Sequence, residues 1–117
     1  MVFARLPLPL RLALYGVAVA ILLYMCLAPA RDLPRVNIWD KAEHATAWLV
    51  LAAVGLILFP RRPVTIGLFA LGVGVLVELL QATPLIARDA DVRDVLADSV
   101  GIAAALAVGR LVRRPPP

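Results

Sequence analysis

The stretch Glu78–Gly101, ELLQATPLIARDADVRDVLADSVG, holds Glu78, Asp89, Asp91, Asp94 and Asp98, five of the eight acids in this 117-residue chain. Apolar runs flank it on both sides. If those runs cross a membrane, the acids lie at or inside its boundary, where a charge is costly and needs a reason to be there. Their spacing supports a helix. Asp91, Asp94, Asp98 and Gly101 fall at i, i+3, i+7 and i+10, along one helical face. Glu78 and Gln81, three apart, share a face of the helix before it.

The whole composition agrees with a membrane setting. The chain is 62% hydrophobic and 17% charged, with mean hydropathy +0.91. A soluble domain carries about a quarter charged residues and fewer apolar ones. This length suits one small bundle and no second domain. A net charge of +4 would suggest nucleic acid in a soluble protein. Here the arginines cluster at the ends of apolar runs, so they read as membrane anchors and nucleic acid is not an expected partner. A lone Cys26 excludes an intramolecular disulfide.

Outward from the acidic stretch, four spans are expected, at about 12–30, 38–59, 64–83 and 91–112. Leu12–Ala30 is uncharged and would be about 28 Å long as a helix, near the hydrocarbon thickness. A cleaved signal ending at Ala28-Pro29-Ala30 is the competing reading, but the apolar run is longer than a usual signal core. Asn37 is placed to cap the second helix, with Asp40 three residues on. Pro60-Arg61-Arg62-Pro63 forces a turn. Gly67, Gly72 and Gly74 allow a neighbour to approach the third helix, and Ala97, Gly101, Ala104 and Ala105 do so on the fourth.

This is an all-α integral membrane bundle of four transmembrane helices, with both termini expected in the cytoplasm. Seven basic residues (Arg5, Arg11, Arg61, Arg62, Arg110, Arg113, Arg114) then lie inside and five (Arg31, Arg35, Lys41, Arg88, Arg93) outside. All eight acids fall on the outer side of that arrangement, so the polar groups of helices two, three and four gather at one membrane level.

Two clusters would meet there. One is Asp40-Lys41-x-x-His44. The other is Glu78-x-x-Gln81, then Arg88-x-x-Asp91-x-x-Asp94-x-x-x-Asp98-x-x-Gly101. At these positions the chain resembles the VanZ-like membrane proteins. Their pattern has Asp-Lys and His early in one span, later Glu and Gln three apart, then an Arg, two Asp at three-residue steps, an Asn and a Gly. Here those positions read Asp40, Lys41, His44, Glu78, Gln81, Arg88, Asp91, Asp94 and Gly101, and Asp98 stands where the family usually has Asn. The likeness runs from Asn37 to Gly109. It implies a multi-pass protein of the bacterial inner (plasma) membrane, associated with the cell envelope and with glycopeptide (teicoplanin) resistance. It supplies no defined reaction.

Simpler readings compete at each position. Asp40, Asp91 and Asp94 fall in first turns, where carboxylates complement the helix dipole. His44 and Gln81 could simply bond between helices. Arg88 could balance nearby acids or snorkel. Trp39 and Trp48 read as interfacial anchors or helix packing. With one His and one apolar Cys, no zinc-like ligand set is expected, and no cofactor. Glu78 and Asp98 resist dismissal. Glu78 lies between Val77 and Leu79, and Asp98 follows Leu96-Ala97 with only Ser99 before Val100, so each must take a proton or find a partner.

The resulting network could bind a lipid headgroup or a lipid-linked wall precursor, with Lys41 and Arg88 on its phosphate or carboxylate. It could instead serve an interfacial enzyme with His44 or Glu78 as general base. It could also be structural, holding the bundle or a homo-oligomer without a ligand. Proton transport is conceivable because Glu78 and Asp98 lie in spans, but one bundle this small would need to form a homo-oligomer for it.

Overall fold

A computed structural model describes residues 3–27, 40–83 and 92–112; of Asp40 it describes the backbone only. The described residues are all helical apart from turns, with no strand among them. After a short 3-10 turn at Phe3–Arg5 come α1 (Leu8–Leu27), α2 (Asp40–Leu58), α3 (Pro63–Gln81) and α4 (Val92–Val112). All four are long and apolar enough to cross a membrane. The Asn37 cap, Trp39 and the Ala28-Pro29-Ala30 site lie outside the described residues.

Prolines set two of the boundaries. The first helix begins at Leu8, four residues earlier than expected, with Pro9 in its first turn. That position has no intrahelical partner for an N–H, so proline costs nothing there. Between α2 and α3, Arg62 N–H donates to the Phe59 carbonyl at 3.1 Å and Pro63 opens the next helix. The reversal is tight and leaves α2 and α3 antiparallel. At the end of α3, the amides of Ala82 and Thr83 donate to the carbonyls of Glu78 and Leu80, and the Thr83 hydroxyl also donates to Leu80.

The chain runs up, down, up and down. Arg11 near the start of α1 reaches Leu58 at the end of α2, and Gln81 at the end of α3 reaches Cys26 near the end of α1. Lys41 and Asp94, both in first helical turns, also meet, so α2 and α4 lie parallel. Their pairing is the most extensive in the bundle; α3 packs across both and α1 covers α2 and α3 more loosely.

Gly101 sets the α2–α4 distance. A Cβ there would stand 2.1 Å from the Ala45 carbonyl oxygen and 2.9 Å from the Leu49 nitrogen, so the two backbones are in direct contact. Such close approach replaces the hydrophobic drive that lipid does not provide between helices. Gly67 and Gly74 also face neighbours, whereas Gly72 has nothing within 4 Å and is no packing glycine. Its expected role came from spacing alone, which does not reveal which side of α3 faces the bundle.

Polarity is distributed inside out. Trp48, Leu51, Ala52, Ala70, Val77 and Ile102 are buried, yet so are Glu78, Gln81, Asp94 and Asp98. Meanwhile Val17, Ile21, Leu68, Leu79, Leu96 and Val100 are all exposed. In water so large an apolar surface would be a liability. Against lipid it is the favourable outer face, with charge kept inside the protein.

Candidate functional site

The buried polar groups collect at the end of the bundle where α2 and α4 begin and α1 and α3 finish. Lys41, on the first turn of α2, donates from Nζ to Oδ1 of Asp94 on the first turn of α4. His44, three residues along α2, lies over the same carboxylate and the next one inward. Its Nδ1 is 2.9 Å from Asp98 Oδ1, and its Nε2 is 3.6 Å from Asp94 Oδ2. The i, i+4 spacing of Asp94 and Asp98 lets one imidazole address both. Glu78 joins from α3. A ring nitrogen of His44 and carboxylate oxygens of Glu78 and Asp94 all lie within 4.8 Å of one another.

The burial is deep for charged groups. Asp98 is 0% exposed and Asp94 3%, with Glu78 at 9%. Three carboxylates, one ammonium and one imidazole thus share a small volume at the edge of the apolar region. Against an ionised Asp98, Nδ1 of His44 is the donor, which leaves the lone pair of a neutral ring on Nε2. Nε2 then lies on the side of Asp94, 3.6 Å from its Oδ2.

Two residues that the motif does not include hold this arrangement. Trp48, one turn after His44, stacks on the imidazole with centroids 5.6 Å apart and planes 11° from parallel. It is fully buried, and its Nε1 donates to the Ala70 carbonyl of α3 at 2.8 Å, so packing and not interfacial anchoring explains it. Gly74 makes the room. A Cβ at that position would stand 2.8 Å from Asp98 Oδ2 and 3.2 Å from Trp48 Nε1. Trp48 follows His44 by four and Gly74 precedes Glu78 by four, but that spacing alone does not set Trp48 apart from an interfacial anchor or Gly74 apart from Gly72.

The cluster of described residues is therefore Lys41, His44, Glu78, Asp94 and Asp98. Gln81 shares the α3 face with Glu78, and its Nε2 donates to the Cys26 carbonyl of α1 at 2.8 Å. That contact is the interhelical bond expected as the simpler reading. Asp94 lies in the first turn of α4, as dipole complementarity requires, and it also contacts Lys41 and His44. The Asp40 side chain, Arg88 and Asp91 lie outside the described residues. The hydroxyls of Thr46 and Ser99 donate to carbonyls four residues earlier on their own helices, so neither is presented to His44 as a nucleophile.

Chemically, the set can accept hydrogen bonds and cations, exchange protons through His44, and offer one ammonium to an anion. Comparison of the chain with protein-family models, with curated proteins and with solved structures returns no match.

Proposed function

We propose that this is a VanZ-like protein of the bacterial inner membrane that binds the polar head of a lipid or lipid-linked wall precursor. Glycopeptide resistance would follow from holding or shielding that envelope component. The observation that carries the reading is the convergence of Lys41, His44, Glu78, Asp94 and Asp98 from three helices at one end of the bundle. A merely structural bundle has no need of three buried carboxylates, each of which is costly in a membrane. The basic-residue bias favours cytoplasmic termini, which turns this end to the outer face. Lys41 and Arg88 supply the positive charge for a phosphate or carboxylate, and the acids orient amine or hydroxyl groups.

The test is the lipid that copurifies with the full chain. Mass spectrometry of extracts is expected to find one headgroup class enriched over the bulk membrane, and to lose it in Arg88→Ala. A profile equal to the bulk membrane in both proteins would refute binding. In a glycopeptide-exposed host, Glu78→Gln should insert normally yet give no protection.

A second reading draws on the His44–Asp98 contact. A buried carboxylate that fixes the imidazole tautomer is the arrangement a histidine general base uses. With Thr46 and Ser99 turned to their own helices, water would be the attacking group. Turnover of the copurifying lipid that stops in His44→Ala would favour this enzyme over the binding protein.

A further inference from the structure

The donor atoms around His44 also define a site of another kind. A single histidine argues against a zinc-like set when histidines and cysteines alone are counted. The fold changes that count, because α3 and α4 each bring a carboxylate to the imidazole on α2. The ligand atoms of His44, Glu78 and Asp94 lie within 4.8 Å of one another, and His44 Nε2 is 3.6 Å from Asp94 Oδ2. Nitrogen and oxygen ligands bound at about 2.1 Å to one tetrahedral ion stand about 3.4 Å apart. The His44–Asp94 pair needs only a small closure to reach that value, and no pair in the set, all within 4.8 Å, needs to close by more than about 1.4 Å.

The surroundings are those of a metal-binding histidine. Such a residue usually gives its other ring N–H to a carboxylate, which fixes the tautomer and raises the basicity of the ligating nitrogen. Asp98 takes that place, 2.9 Å from Nδ1 and 0% exposed. Trp48 stacked on the ring and the missing Cβ at Gly74 keep imidazole and carboxylate in register. Lys41 occupies Oδ1 of Asp94, leaving Oδ2 on the side of Nε2. Three protein ligands and one coordination position for water or an anionic oxygen make an open site. One imidazole with two carboxylates suits a first-row divalent ion such as Zn2+, and less well an all-oxygen ion such as Ca2+.

We propose that His44 Nε2, Glu78 and Asp94 bind one divalent transition-metal ion, with Asp98 as the outer carboxylate that orients His44. The proposal concerns the same cluster as the headgroup reading and deepens it, since a bound cation would take the phosphate oxygen of a ligand directly. It does not depend on a lipid being bound.

The full chain, without a polyhistidine tag, is purified in detergent, stripped with a chelator and equilibrated with Zn2+ or Co2+. Metal analysis should find about one Zn2+ per chain. Bound Co2+ should give the visible absorption of a low-coordinate nitrogen–oxygen site, without a thiolate band from Cys26. Glu78→Gln and His44→Ala should weaken Zn2+ binding by about a hundredfold or more, and Asp98→Asn by about 10–100-fold. Glu43→Gln, an acid of α2 outside the cluster, should leave it unchanged.

A wild-type chain holding less than about a tenth of an equivalent would overturn the site, as would binding indifferent to both Glu78→Gln and Asp94→Asn. If a variant fails to fold, the wild-type Co2+ spectrum and its displacement by Zn2+ decide alone. Lipid capture is measured on the stripped protein in parallel. Metal can thus fail while the headgroup reading stands, and the reverse can also occur.

Discussion

At the end where α1 begins and α2 stops, Arg11 donates from Nε to the Leu6 carbonyl and from Nη1 to the Leu58 carbonyl, each at 3.1 Å. Its guanidinium also lies 5.0 Å from the centroid of the Phe59 ring. Around it, Arg5, Arg61 and Arg62 line a cleft of about 1160 Å3 whose walls include Tyr15, Phe59 and Phe69. Arg5, Arg61 and Arg62 are exposed, and the half-buried Arg11 meets two backbone carbonyls and a ring. The opposite end places Lys41 and His44 against Asp94 and Asp98, both almost fully buried. Surface cations anchor a span and are individually replaceable. Buried ions of opposite sign depend on one another, and removing either one strands the other. On the proposed reading, anchoring belongs to the arginine end and chemistry to the acidic end. Substitutions can break that contrast, and their effects should fall in a definite order.

The largest effect is expected where α2 and α4 touch. Leucine at position 101 would drive a side chain into the Ala45 carbonyl and the Leu49 amide, both backbone atoms that cannot rotate aside. Gly101→Leu should cost more than about 3 kcal/mol and remove the monodisperse folded peak in gel filtration. Gly72→Leu, with nothing within 4 Å of its Cβ position, should keep that peak. Equal behaviour of the two would mean that the acidic end is not built on this crossing.

Next comes the ion pair itself. Lys41→Met leaves Asp94 without its ammonium in a site where the carboxylate is 3% exposed. Stranding one partner of a buried pair costs about 3–5 kcal/mol. Thermal or SDS-induced unfolding in detergent should show this loss. The double variant Lys41→Met with Asp94→Asn should lose less than the two single changes added together. Strict additivity would show that Lys41 and Asp94 do not act as a pair.

How much of this is legible in the chain follows from the same physics. The four helices are readable because each carries an apolar stretch long enough to cross a membrane, and their ends moved by only a few residues. Glu78 and Asp98 stand out because a carboxylate inside a mostly apolar helix must be accounted for. Gly101 is readable as a packing residue from its place on the Asp91–Asp94–Asp98 face. What cannot be read is the rotational setting of each helix. Lipid and bundle interior are both apolar, so the pattern does not separate Val73 and Val77, which are buried, from Val75 and Leu79, which are exposed. For the same reason Gly72 and Gly74 look alike, and Trp48 cannot be told from an interfacial anchor. The pairing of His44 with Asp98 depends on that rotation too.

A smaller effect should come from Trp48→Phe. The ring can still stack on His44, but the donor to the Ala70 carbonyl is lost. That carbonyl belongs to a helix interior and keeps its helical partner, so the cost should be about 1 kcal/mol, read as a lowered melting temperature in detergent. Trp48→Leu, which also removes the stack, should cost more. If the two variants melt together, the stack adds nothing to the placement of His44.

The smallest effect belongs to the arginine end and closes the comparison. Arg11→Gln removes the contact with the Phe59 ring and the charge near the C-terminus of α2, while an amide can still donate one hydrogen bond. A cation at a helix C-terminus and a surface cation–π contact each contribute roughly 0.3–1 kcal/mol. The loss should therefore be about 1 kcal/mol or less, well below that of Lys41→Met. Arg11→Lys should fall between wild type and Arg11→Gln, since an ammonium keeps the charge but cannot present the guanidinium fork to Leu6 and Leu58 together. If Arg11→Gln proved as damaging as Lys41→Met, the distinction between an anchoring end and a chemical end would be lost. The cleft beside Arg11 would then have equal standing as a functional site.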